Sequence, residues 1–287
     1  MQIIHSIRAL QDWRRHHQLK RGTIGFVPTL GALHEGHRSL LQQARKTNDS
    51  VVASIFVNPL QFGPSEDFHS YPRTLAADQA MCDQEGVDLL FIPKRNELYP
   101  TDFQTSVSVS LLTARWEGES RPQHFPGVTT IVTKLLILLQ PDHAFFGQKD
   151  YQQFLVIKQL VKDLNLAMRI VGCPTIREAD GLAFSSRNRY LTTGQRSEAA
   201  RLYQTLRHGG QLIRQGQRQG RVIKKAIFTR LTRTTSGTID YIGICNSRTL
   251  EPLATITGQV TLLGAIRFGK VRLIDNLRVR VPRGSDP

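Results

Sequence analysis

The chain has 287 residues, 40% of them hydrophobic, enough for one large domain or two modest ones with a proper core. Three widely spaced cysteines, Cys82, Cys173 and Cys245, imply neither a disulfide framework nor a zinc motif, and no apolar run approaches the length of a membrane span. The net charge of +15 is lopsided, with 18 Lys and Arg against 16 Asp and Glu in residues 1–176, and 20 against 7 in residues 177–287.

The N-terminus lacks the continuous apolar region of a signal peptide, so a cytoplasmic protein without a membrane partner is expected. The basic excess is scattered and has few aromatics beside it. It reads as a solvated face attracting anions, and no nucleic-acid partner is expected.

Residues 23–27 form a largely apolar run rich in β-formers, a buried strand that Pro28 is expected to end because proline gives no N–H to a ladder. Gly31 and Gly36 bracket His34 and His37, and a helix is expected from His37 onward. Free backbone N–H groups and the positive end of the helix dipole would make this corner an anion site suited to phosphate. Two imidazoles three residues apart can share one side of it. A nearby polyphosphate would raise each from its ordinary pKa of roughly 6.5, making both cationic donors. A metal pair or two solvated histidines are the plainer alternatives, and no third ligand is evident.

Residues 51–57 read as a second strand, ending in Asn58 and Gln61. Ligands of open α/β sheets bind beyond the carboxyl ends of strands, so these amides are substrate candidates, or else part of a surface turn. A helix over 74–85 and a strand over 87–92 follow, then a polar loop through Glu117 and Arg121. The run from Gly127 reads as a mostly buried helix whose Lys134 either snorkels or points at the site.

Residues 143–147 are a further strand leading into Gly147, Gln148, Lys149 and Asp150. Gly147 allows close backbone approach, Lys149 brings a mobile charge, and Asp150 can accept a ribose hydroxyl; helix capping is the plainer reading. A helix over 152–164 and a strand over 168–173 complete the alternation, which argues a doubly wound parallel sheet. A third corner, residues 177–191, offers Ser185, Ser186 and Arg187: two hydroxyls and a forked cation for the outer phosphates of a nucleotide, or simply an interdomain linker. Beyond it, helices over 195–215 and 221–233 precede strands over 239–246, 260–268 and 271–277, with turns at Gly258 and Gly269. The expected division is a Rossmann-like domain over 1–176, a small α+β lid over 177–281, and a tail over 282–287 that partly resembles a protease-site scar.

Neither a G-x-x-x-x-G-K-[ST] loop nor a G-x-G-x-x-G turn occurs, so P-loop and dinucleotide chemistry are not indicated. The H-x-G-H turn after the first strand, with a Ser-Ser-Arg turn after the last, instead resembles the nucleotidylyltransferase superfamily. PTLGALHEGH, SIFVNPLQFGP, EDFHSYPRTLAAD, RPQHF, FGQKDYQQ, READGLAFSSRNRYL and GAIRFGKVRLIDN resemble the successive signature blocks of the pantothenate synthetase family.

That resemblance implies a Rossmann-like α/β fold of nucleotidylyltransferase type and a two-step ligation. ATP would activate (R)-pantoate as an acyl-adenylate, and β-alanine's amine would then displace AMP. It places Leu30, Gly31, Ala32, Leu33, His34, Glu35, Gly36 and His37 along ATP, with His37 the usual proton donor. Gly147, Gln148, Lys149 and Asp150 would take ribose and phosphate, Ile176 the adenine, and Phe184, Ser185, Ser186 and Arg187 the β,γ-phosphates. Gln61 and Gln153, with Asn58 and Arg121, would hold pantoate, Gln61 also meeting β-alanine. His34, His37, Lys149 and Arg187 are the expected catalytic set. Mg²⁺ would arrive with ATP, the assembly would be a homodimer, and closure of the lid would hinge near residues 176–181. Leu30, Pro126, Gln148 and Phe184 depart from the family's usual residues, and none of the four is a member of that catalytic set.

Overall fold

The structure, a computed structural model, describes residues 1–19, 22–64 and 66–281. The tail over 282–287 therefore lies outside the described residues. Two compact units divide the chain: residues 1–148 with 152–174, and residues 149–151 with 175–287.

In the first unit the apolar runs become parallel strands. The elements are β1 (Gln2–Ile4), α1 (Ile7–Leu19), β2 (Ile24–Thr29), α2 (Glu35–Thr47), β3 (Ser50–Ile55), α3 (Leu75–Gln84), β4 (Leu89–Phe91), the short α4 (Arg95–Leu98) and α5 (Glu117–Ser120), α6 (His124–Leu139), β5 (His143–Gly147), α7 (Tyr151–Asp163) and β6 (Arg169–Cys173). The order β1-β4-β3-β2-β5-β6, parallel throughout, is the expected doubly wound sheet, with β1 and α1 as additions that the sequence pattern did not suggest. α2 lays Leu40, Leu41 and Ala44 on Val27, Ala53 and Phe145 of the sheet, and α6 is buried along most of its length. From β2 the chain builds outward through β3 and β4, then returns to place β5 on the other side of β2. That reversal is a topological switch point, where such sheets bind ligands.

Pro28 does not end its strand. Thr29 offers its carbonyl to Phe56 N beyond the end of β3, so the preceding Pro28 turns its backbone toward β5. Pairing with β5 extends only over Gly25 and Phe26, so no ladder bond is wanted from Pro28.

The second unit holds α8 (Thr193–Ala199), α9 (Arg201–Arg214), α10 (Gly220–Thr234) and the antiparallel strands β7 (Thr238–Asn246), β8 (Gln259–Phe268) and β9 (Val271–Arg280). The single helix expected over 195–215 is broken at Ala200. Leu202, Leu206, Ile213, Ile223, Ile227 and Leu231 pack against Ile242, Leu262 and Ile266 to make this unit's own core. Gly269, at φ +57°, makes the tight β8–β9 turn. No helix of the described residues is long and apolar enough to cross a membrane.

Candidate active site

The first corner leaves the carboxyl end of β2 through Gly31 (φ +82°) and Ala32 (φ +51°). A left-handed alanine is costly and needs support. Asp78, 2% exposed on α3, supplies it: its carboxylate accepts Ala32 N at 2.9 Å, Leu33 N at 2.8 Å and the Thr74 hydroxyl at 3.0 Å. α2 begins at Glu35, two residues earlier than expected, because His34 is its N-cap. His34 Nδ1 accepts Gly36 N at 3.1 Å and His37 Nδ1 accepts His34 N at 3.3 Å, a capping box built from imidazoles.

One expectation changes here. The backbone N–H groups at this corner are not free for phosphate, since Asp78 and His34 already occupy those of Ala32, Leu33 and Gly36. Nδ1 accepts a backbone N–H in both rings. The rings lie 4.1 Å apart, centroid to centroid.

Ala32 packs with Phe62 and Tyr71, and Leu30 and Val57 join that cluster, so the first corner meets the turn carrying Gln61. Asn58 is fully buried in this turn and all its hydrogen-bonding capacity is used. Its amide donates to Gln61 Oε1 (3.1 Å) and Gly127 O (3.0 Å), while Oδ1 accepts Leu60 N (3.3 Å) and the Tyr99 hydroxyl (2.9 Å). Asn58 therefore holds Gln61 rather than a ligand, and fixing Gln61 Oε1 leaves Nε2 as the donor that Gln61 can offer. Gly127 is what lets the turn lie on α6, because a Cβ there would sit 2.2 Å from Leu60 O.

Arg121 forks Glu66 at 2.7 and 2.5 Å, reaches Glu117 at 3.1 Å and donates to Gln61 O at 3.3 Å. Its guanidinium is committed to protein partners, which weakens the expectation that it grips pantoate. His124, missed by the sequence reading, places Nδ1 3.0 Å from Gln61 O and so carries its proton there. Burial, with the nearby Arg121 charge, pushes this imidazole down to about 4. Gln153 is half-buried, whereas its neighbour Gln152 donates to Leu112 O and Arg115 O, bracing the approach to α5. Lys134 does not point to these groups: its ammonium lies 4.5 Å from the Phe103 ring centre and 5.7 Å from that of Tyr99.

The other expected residues belong to the second unit, apart from Gly147 and Gln148 in the first. Lys149 and Asp150 form a neighbouring pair at 3.6 Å, and Asn276 donates to Lys149 O at 2.9 Å. Ser185 caps the turn over residues 186–190 by accepting Arg187 N at 3.3 Å, which leaves its O–H able to donate to a ligand. Residues 176–181, expected to hinge, fall within this unit. Phe184 N donates to Ile176 O, Arg177 pairs bidentately with Asp275 (2.6 and 2.8 Å), and Arg196 grips Glu178 and Asp180, each at 2.6 Å. The units divide at Pro174–Thr175 instead.

No group of three or more His, Cys, Asp or Glu that could hold a metal lies among the described residues. Asp78, Tyr99, His124 and Asn276 escaped the sequence reading, although Asp78, His124 and Asn276 each lie inside a quoted signature block.

The family model described as pantoate-beta-alanine ligase matches residues 2–278. A pantothenate synthetase of Moorella thermoacetica is 48% identical over 281 residues, covering 98% of this chain and 99% of the relative. One of Heliobacterium modesticaldum is 47% identical, covering 98% and 100%. The solved pantothenate synthetase of Thermus thermophilus superposes with TM-score 0.91 at 45% identity, over 96% of this chain and 99% of that one. A pantoate-beta-alanine ligase of Francisella tularensis, solved with beta-gamma ATP and beta-alanine, gives TM-score 0.79 at 36% identity over 96% and 97%.

Proposed function

Because the chain belongs to the pantoate–β-alanine ligase family, we propose that it makes its amide from ATP through a pantoyl-adenylate. The condensation of pantoate with β-alanine is the family's activity, and the chain is an enzyme of that class. The observation that carries the ATP-dependent reading is the pair of imidazoles in tilted contact beyond β2, at the point where the strand order reverses. The complex described for the Francisella relative supports it.

In the proposed first step a pantoate carboxylate oxygen attacks the α-phosphorus of ATP and diphosphate leaves. No protein nucleophile is needed, only alignment and donors where negative charge gathers. His34 and His37 would donate from Nε2, and Lys149 and Arg187 would bring fixed positive charge. Gln61 Nε2 and Gln153 would hold pantoate; Gly147, Gln148 and Asp150 the ribose and phosphate; the Ile176 backbone the adenine; and Phe184, Ser185 and Ser186 the outer phosphates. In the second step β-alanine's amine, near Gln61, attacks the acyl carbon, loses a proton, and AMP departs. Mg²⁺ would enter with the triphosphate, held by phosphate and water oxygens. The labile adenylate needs protection from water, a task assigned to the second unit. A cytoplasmic homodimer completes the proposal, checked by sedimentation.

The test is to incubate the protein with ATP, pantoate and β-alanine and follow pantothenate and AMP by mass spectrometry. AMP release that does not depend on both acids would reject the ligase. His37→Ala should slow single-turnover adenylate formation by about 10²–10³-fold while the fold survives; near-normal formation would remove His37 from its role.

A further inference from the structure

Lys149 lies in the chain between β5 and α7, both mainly of the first unit, yet residues 149–151 belong to the second. Three contacts tie them there. Asn276 Nδ2 donates to Lys149 O at 2.9 Å, the Tyr151 hydroxyl donates to Ser247 O at 2.7 Å, and the Arg278 guanidinium lies 5.4 Å from the Tyr151 ring centre. Asn276 itself is 8% exposed on β9, and its register is fixed by a full ladder to β8, where it faces Leu263. The residue before it, Asp275, pairs bidentately with Arg177 at the base of the third corner. Successive strand residues point to opposite sides. One dipeptide of β9 therefore holds the backbone of the Lys149 corner with one side chain and the corner bearing Ser185–Arg187 with the other.

We propose that Asn276 is the positioning residue for Lys149: its amide fixes the carbonyl from which that side chain springs. The two corners that the proposed function assigns to the phosphates are then set against one another by a single rigid strand, and the inference rests on that assignment of Lys149. A long ammonium side chain has several rotatable bonds, so its aim depends on how firmly its backbone is held.

The experiment is a double-mutant cycle read by pantoate-dependent diphosphate release from ATP. Lys149→Ala should cost about 10²-fold. Asn276→Ala, and Asn276→Leu, which nearly keeps the volume, should each cost about tenfold in kcat, with the unfolding midpoint close to the parent's. Added to Lys149→Ala, either Asn276 change should cost no more than about twofold further, because a residue acting only through Lys149 has nothing left to position. A full tenfold multiplication in that background would overturn the proposal while leaving Lys149's role intact. Unfolding of both Asn276 variants before assay would also overturn it, since the bond would then hold the sheet. Unimpaired turnover by Lys149→Ala would instead defeat the role given to Lys149, and the purpose of the Asn276 bond with it.

Discussion

At His34 a single imidazole caps a helix through Nδ1 and is the proposed donor to ATP, and substitution can separate the two duties. Asparagine keeps a side-chain acceptor for Gly36 N but has nothing at the position of Nε2, whereas alanine loses both. His34→Ala should lower stability by about 1 kcal/mol in urea unfolding, His34→Asn hardly at all, and both should slow adenylation about 10²-fold. Equal loss of stability in the two variants would show that the ring caps nothing. His124 gives a test by pH. Its folded-state pKa, depressed to about 4, lies below the ordinary 6.5, so the unfolded chain binds the proton more readily. The stabilising contribution of the neutral ring is intact above about pH 6.5 and is lost as pH falls toward 4, by roughly 2–3 kcal/mol. Carboxylates titrate toward the acid end of the same window. The measurement is therefore the difference between parent and His124→Gln, whose amide can still donate to Gln61 O: the variant should lose less stability between pH 7 and 4.5.

Among elements, the turn carrying Gln61 depends on α6 more than on its own sequence. Asn58, Tyr99 and Gly127 O saturate it from within, and Arg121 and His124 both donate to Gln61 O. The closest approach occurs at Gly127, where a methyl group would stand 2.2 Å from Leu60 O and 2.5 Å from Gln61 N. Those are backbone atoms and cannot swing aside. Gly127→Ala should push the turn off the helix, raising KM for pantoate about tenfold or more while KM for ATP changes little. An unchanged pantoate KM would show that Gln61 is not the pantoate ligand or that the turn tolerates the shift.

For the whole molecule, one ion pair of the second unit is largely buried. Asp275 is 5% exposed and has Arg177 as its bidentate partner, while the Arg177 guanidinium also lies 3.4 Å from the Tyr203 ring centre. Removing the cation strands a buried carboxylate, so Arg177→Ala should cost about 3–5 kcal/mol in urea unfolding, far more than the same change at an exposed arginine such as Arg207. A loss below about 1 kcal/mol would mean that water reaches Asp275 once Arg177 is gone. Arg177 lies inside the segment expected to bend, and it and Arg196 tie that segment to other residues of the second unit.

Much of this was legible in the chain. Apolar runs bounded by glycine and proline are local signals, and they located β2, β3, β5, β6 and β7–β9 to within a few residues, together with the three polar corners. The signature blocks carried the family. Hydrogen-bond capacity was not legible, because a side chain's partners are set by residues far away in sequence. The N–H of Ala32 is taken by a carboxylate 46 positions on, and the carbonyl of Lys149 by an amide 127 positions on. An amide or guanidinium at a strand end looks equally available to a ligand and to the protein until the fold brings its competitor within about 3 Å. Tertiary structure alone therefore decided that Asn58 and Arg121 serve Gln61, that Nδ1 of both imidazoles at the first corner is taken by backbone N–H groups, and that Lys149 belongs to the second unit.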